Sequence, residues 1–209
     1  MTVIDTVTID HITIEAADPA AAAAFYDAAF GLGDRLRVRG ATTPTSGFRG
    51  FTLSLITAQP ADVDALAEAA LAAGATTVKP VAKSLWGYGG TVQAPDGTIW
   101  KIATSSKKNT GPATRRVDQV VLLLGTSDIT ETKRFYVEHG LTVARSFGRK
   151  YVEFEAPSAG VKLALYGRKA LAKDAGVAPD GDGSHRVAIG CAAGAFTDPD
   201  GFVWEDAVV

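Results

Sequence analysis

From residue 6 to residue 15 the chain alternates, with Ile12 and Ile14 on one face and His11, Thr13 and Glu15 on the other. Period-two alternation in a run rich in β-branched residues predicts a half-buried strand. Asp18-Pro19 then supplies an N-cap followed by proline at the first helical position, which predicts a helix to about Phe30, stopped by Gly31 or Gly33. A short strand is expected over 35–38, a Thr/Pro/Ser/Gly loop over 40–47 and an alternating strand over 50–57. A helix over 62–73 ends at Gly74, and 78–81 is extended. Residues 84–90 read as an aromatic, glycine-rich loop, and 91–93 as a strand entering a Pro95-Asp96-Gly97 hairpin. Beyond that turn Ile99 and Lys101 share a face, opposite Thr98, Trp100 and Ile102.

Residues 105–112 have linker composition, and the pattern then restarts. A strand over 117–124 precedes a helix capped by Asp128 and ended by Gly140. Strands follow over 142–147, 150–155 and 161–166, then a short helix over 169–174 and a polar loop over 178–184. A strand over 185–192 leads to a second hairpin, Pro199-Asp200-Gly201, after which Val203 and Glu205 face away from Phe202 and Trp204.

The restart is an internal repeat. Asp10-His11 corresponds to Asp118-Gln119, Phe25-Tyr26 to Phe135-Tyr136, and the first Pro-Asp-Gly to the second, in one order and at near-constant spacing. The expected fold is α+β: two tandem βαβββ modules, 1–105 and 116–209, joined by a linker over 106–115 and forming a curved mixed-sheet cup.

Composition narrows the function. Hydrophobic residues make up 46% of 209, enough for a real core, and the formal net charge of −2 gives no electrostatic case for nucleic acid. No apolar run reaches membrane length and the first residues lack the features of a signal peptide. Cys191 is the single cysteine, so no internal disulfide forms and a cytoplasmic setting is expected. Within its apolar run Cys191 reads as a small buried residue, with a nucleophilic role as the alternative.

The repeat resembles the vicinal oxygen chelate superfamily, which includes glyoxalases, bleomycin-resistance proteins and extradiol dioxygenases. The resemblance is carried by Asp10-His11, Phe25-Tyr26, the Asp198-Pro199-Asp200-Gly201 hairpin with Glu205, and their counterparts. It implies a central cup whose four seats are His11, Lys101, Gln119 and Glu205. Lys101 departs from the metal-dependent pattern, because an ammonium has no lone pair for a metal. The resemblance therefore implies a degenerate centre and a protein that binds or sequesters a small organic molecule. Lys101 is read as an ammonium paired to Glu205 inside the cup, with a solvated edge position as the alternative. The alternative is a metal-dependent lyase, isomerase or extradiol-type dioxygenase holding Ni, Zn, Mn or Fe with His11, Gln119 and Glu205. A structural or regulatory dimer module is a third reading, and exposed sheet edges lead us to expect a homodimer.

Trp86 and Tyr88 are candidates for the lining of the cup, or for packing over its mouth. Tyr151, beside Arg149 and Lys150 in a cationic-aromatic hairpin, is a further pocket candidate. His139 is expected at a helix C-terminus, where a partial positive charge is favourable, and His185 on an exposed loop end.

Overall fold

The first strand is followed by a helix, and this β-to-α step recurs in both halves of the chain. The computed structural model describes residues 7–85, 87–157, 160–192 and 194–207. The first half runs β1 (Ile9–Ala16), α1 (Pro19–Ala29), β2 (Leu36–Gly40), β3 (Thr45–Gly47), β4 (Phe51–Ile56), α2 (Pro60–Ala72), β5 (Thr76–Ser84), β6 (Gly87–Gln93) and β7 (Ile99–Thr104). The second runs β8 (Gln119–Thr126), α3 (Ile129–Glu138), β9 (Val143–Ser146), β10 (Tyr151–Phe154), β11 (Val161–Gly167) and α4 (Arg168–Ala175). It closes with β12 (Gly181–Gly183), β13 (Val187–Cys191), β14 (Phe196–Thr197) and β15 (Val203–Asp206).

Capping fixes where the helices start. The Asp18 carboxylate accepts from Ala21 N at 3.0 Å, and Asp128 accepts from Thr130 N at 2.8 Å and Glu131 N at 3.3 Å. Those backbone donors hold the Asp128 carboxyl below its usual range. α4 ends at Gly176, whose φ of 89° is the left-handed cap that glycine adopts without a Cβ penalty.

Among the described residues thirteen strands form one mixed, curved, open sheet, while β3 and β12 pair separately. Two βαβββ units in it are complete. The unit from β4 to β7 has strand order β4-β7-β6-β5, and the unit from β8 to β11 has order β8-β11-β10-β9. In each, the first strand lies parallel to the last, Leu53 opposite Trp100 and Leu122 opposite Leu163. Their first strands pair antiparallel, Leu53 opposite Leu122, and fuse the units into an eight-stranded cup.

The remaining five strands make a reduced cup on the same plan. β1 lies parallel to β2, and β13 lies parallel to β15 with β14 beyond it. β1 and β13 pair antiparallel, Thr13 opposite Ala188. Among the described residues the first of these units lacks an outer hairpin, and the second has no helix between β13 and β14. The two cups join where Ile9 meets Val161.

One apolar core runs behind both cups and takes alternate residues of their strands, among them Ile12, Ile14, Leu53, Leu55, Ile102, Leu122, Leu163, Ile189 and Trp204. The helices tie into it through the repeated Phe-Tyr pairs. The Tyr26 hydroxyl donates to Asp96 at 2.8 Å with its ring 5.4 Å from Trp100. The Tyr136 hydroxyl donates to Asp198 at 2.5 Å with its ring 5.3 Å from Trp204. Each aromatic pair therefore locks a helix to a Pro-Asp-Gly hairpin.

Three stretches differ from expectation. The loops over 40–47 and 178–184 contain β3 and β12, which find each other across the chain, Gly47 opposite Gly181. A Cβ at Gly181 would come within 2.3 Å of the Phe48 carbonyl, so the close approach depends on glycine. Residues 84–90, read as a loop, lie mostly in β5 and β6, with the glycines giving a close approach between strands. The stretch with linker composition is tied down. The buried Gln59 accepts from Thr110 N at 2.7 Å and Gly111 N at 3.0 Å, and the buried Asp62 accepts from Thr114 N at 2.6 Å. Composition alone did not show partners fifty residues away. Among the described residues no helix is long and apolar enough to cross a membrane.

Candidate functional site

The sheet turns one set of side chains to the core and the other into the cups. In the eight-stranded cup a single cross-strand row reads Lys79, Thr91, Lys101, Ser54, Val121, Lys162. Helix α4 lies across this concave face. Its Leu171, Ala172 and Ala175 form a second apolar cluster with Phe48, Ile99, Leu123 and Tyr166. Polar contacts fasten both ends of the helix. At its start the Arg168 guanidinium donates to Phe48 O at 2.7 Å and Pro179 O at 3.2 Å and lies 5.4 Å over the Phe48 ring. At its end Lys101 Nζ meets the Asp174 carboxylate at 2.8 Å, and Lys79 Nζ donates to Lys173 O at 3.0 Å and to Asp174 O.

α4 borders two cavities. One, of about 510 Å³, lies against β5, β6 and β7 and is lined by Lys79, Lys83, Lys101 and Asp174 over small residues such as Gly89 and Ala103. The other, of about 680 Å³, lies under the β9–β10 hairpin and is lined by Phe147, Arg149, Lys150, Tyr151, Tyr166 and Ala170. Tyr151 stands edge-on to Tyr166 at 5.3 Å. Its hydroxyl donates to Glu153 at 2.7 Å, and Lys162 donates to the other oxygen of that carboxylate at 3.0 Å. Burial, then the Glu153 contact, pushes the Tyr151 phenol far above its ordinary value. Burial alone would raise the Glu153 carboxyl, but donation from Tyr151 and Lys162 outweighs it and holds the group low.

The reduced cup is built from charges. His11, Thr13 and Glu15 face inward from β1, and Arg37 and Arg39 stand opposite Thr13 and Glu15 on β2. Glu205 lies opposite Gly190, which lies opposite His11. The Arg39 guanidinium bridges the two carboxylates, reaching Glu15 at 2.6 Å and Glu205 at 2.7 Å. A register shift between Ile9 and His11 turns the imidazole onto Gly190, where a Cβ would lie 2.2 Å from Cε1. Burial, followed by the charge of Arg37, lowers the His11 pKa from its ordinary 6.5.

The seats implied by the repeat fall in different places. His11 and Glu205 share the reduced cup, whereas Lys101 and Tyr151 border different cavities of the complete one. Gln119 begins β8 and donates its amide to Gly160 O at 2.6 Å. From β8 to β15 the path along the sheet crosses β11, β1 and β13, four spacings of about 4.8 Å each. Tyr88 borders the 510 Å³ cavity, and its hydroxyl donates to Asp64 of α2 at 2.7 Å, a bond that is the main cause of its raised pKa. Trp86 lies outside the described residues. His139 stacks on Phe135 at 4.0 Å, and His185 stacks on Phe202 at 3.9 Å with both ring nitrogens against backbone carbonyls, so it is more enclosed than its loop position suggested. Cys191 is buried.

The expected ion pair between Lys101 and Glu205 is therefore corrected. Lys101 pairs with Asp174 and Glu205 with Arg39. The cause is topological. The first-half hairpin strand β7 belongs to the complete cup, while the second-half hairpin strand β15 belongs to the reduced one. Sequence reasoning missed Arg39, Glu15 and Asp174. The alternation of Leu36 and Val38 with Arg37 and Arg39 was a signal that two cations share a strand face. Nothing local indicated that α4 would enter the cup.

A metal placed by analogy at His11 and Glu205 does not fit the donor set. Both carboxylates already receive the Arg39 charge, the imidazole is pressed against Gly190, and Gln119 is directed at Gly160. Among the described residues no group of three or more His, Cys, Asp or Glu is arranged to hold an ion.

The architecture is that of the vicinal oxygen chelate fold, with βαβββ-like units in a curved mixed sheet. Glyoxalase I from Zea mays matches with a TM-score of 0.61 at 15% identity, over 97% of this chain and 93% of that one. A putative dioxygenase from Bacillus subtilis matches with a TM-score of 0.55 at 13% identity, over 93% of this chain and 72% of that one. At these identities the likeness is one of fold. No protein-family model matches the chain, and no curated protein matches it in sequence.

Proposed function

We propose that this chain binds or sequesters a small organic molecule in the complete cup, beside α4, and does so without a divalent metal. The observation that carries the reading is the Arg39 guanidinium between Glu15 and Glu205. It supplies, from within the chain, the positive charge that two inward carboxylates would otherwise draw from an ion. The complete cup supports the ligand half of the reading, since cavities of about 510 and 680 Å³ are of small-molecule size.

Two measurements test it. After chelator treatment, calorimetric titration with Ni²⁺, Zn²⁺ and Mn²⁺ is expected to show no stoichiometric binding. Thermal melts against a panel of small organic compounds are expected to yield ligands that raise Tm by about 5–10 °C at a hundredfold excess over Kd. Tight one-to-one metal binding, lost in both His11→Ala and Glu205→Ala, would replace this reading with the metal-dependent lyase or dioxygenase.

A further inference from the structure

The chemistry of the 510 Å³ cavity is set by three ammonium groups, Lys79, Lys83 and Lys101, against one carboxylate, Asp174. Lys79 and Lys101 lie in one cross-strand row with Thr91 between them. Lys79 has a structural task, because its stem packs on Gly176 and its ammonium caps the last carbonyls of α4. Asp174 has no such task in the helix. A carboxylate in the last turn sits at the negative end of the helix dipole, where its charge is unfavourable. What it does have is Lys101 at 2.8 Å, in a pair whose side chains are 40% and 43% exposed. A pair that open to water is worth little and exchanges readily.

Resting on the reading of the complete cup as a ligand site, we propose that this cavity takes a small organic anion, a carboxylate or a phosphate, and that the Asp174 carboxylate holds the anion seat on Lys101 until the ligand displaces it. Lys83 completes the cationic side of the cavity, while Pro80, Ala82 and Ala103 offer an apolar wall to the rest of the molecule. Displacement would release the Asp174 end of α4 from Lys101 and leave the Lys79 cap in place.

The test uses benzoate, phenyl phosphate and benzamide, which share a ring and differ in charge, titrated calorimetrically into the wild type, Asp174→Asn and Lys101→Met. Removing the internal competitor is expected to tighten anion binding by about two- to fivefold in Asp174→Asn, the range that freeing an exposed, weakly held pair allows. Benzamide should be indifferent to that change, and Lys101→Met should lose the preference for the anions over benzamide. The ratio of benzoate to phenyl phosphate affinity then separates a carboxylate ligand from a phosphate. No tightening in Asp174→Asn, or an equal gain for benzamide, overturns the proposal, the second because it reports a loosened helix and no anion seat. Should Asp174→Asn fail to fold, Lys101→Met decides alone, and an unchanged preference for anions over benzamide overturns the proposal. Binding of benzamide with no charge preference would remove the anion seat while leaving the cup a small-molecule site.

Discussion

The complete cup has eight strands and is crossed by a helix, whereas the reduced cup has five and is spanned by a guanidinium. Both derive from the same βαβββ plan, so the difference follows from width. A broad concave face leaves apolar side chains such as Ile99 and Leu123 without cover, and Leu171 of α4 supplies it. A narrow face brings Glu15 and Glu205 within reach of one arginine. The lesson is that residues at equivalent repeat positions need not meet, and that the two cavities beside α4 belong to the cup that retains every strand.

The largest effect expected from breaking this comparison is in the complete cup. Leu171 is 1% exposed, and Leu171→Ala should cost about 2–5 kcal/mol in denaturant unfolding. A loss well under that range would mean α4 rests on the cup without packing into it. Next comes the reduced cup. Arg39→Met strips the shared cation from Glu15 and Glu205 and should raise affinity for Ni²⁺ or Zn²⁺ by about a hundredfold, equivalent to about 2.7 kcal/mol. The gain should vanish when Glu205→Ala is added. Lys101→Glu, which alters the other cup, should leave metal affinity at the wild-type level. Gain in Lys101→Glu and none in Arg39→Met would mean that the seats converge after all.

Much of this architecture could be read from the chain. Alternation located β1, β4 and β8, Asp18 and Asp128 marked helix starts, and the repeated Phe-Tyr and Pro-Asp-Gly anchors gave the α+β class. What alternation cannot give is strand order, because period two fixes a face and says nothing of the neighbour. Lys101 and Glu205 were correctly read as facing away from Trp100 and Trp204, yet β7 pairs with β4 and β15 with β13. The site depended on those long-range pairings. It depended also on α4, whose eight residues carry no pattern pointing to the cup.

A smaller effect tests whether the two helix-to-hairpin locks are equivalent. Both tyrosines donate to an aspartate, but Asp198 is buried and Asp96 half-buried. Burial pushes the Asp198 carboxyl up despite donation from Tyr136 and Phe202 N. Tyr136→Phe removes a donor from a buried acid and should cost about 1–3 kcal/mol, while Tyr26→Phe should cost about 1 kcal/mol or less. Equal losses in chemical denaturation would show that the locks are energetically alike.

The smallest effect separates the cups by pH. The folded pKa of His11 lies below its ordinary 6.5 because burial, and then Arg37, disfavour the imidazolium. The unfolded chain therefore binds the proton more readily, and stability from this group is present above pH 6.5 and lost as pH falls through the folded pKa. In the complete cup Glu153 is held below its ordinary 4.5, so its contribution is present above that pH and lost only in stronger acid. The reduced cup should thus weaken first on acidification. His11→Asn should flatten the decline that the wild type shows on going below neutrality, and Glu153→Gln should leave that decline intact. Urea midpoints of the three proteins across the two windows provide the check. A decline of the same size in His11→Asn would mean that His11 does not carry it, and the comparison between the cups would then lose its titrating group.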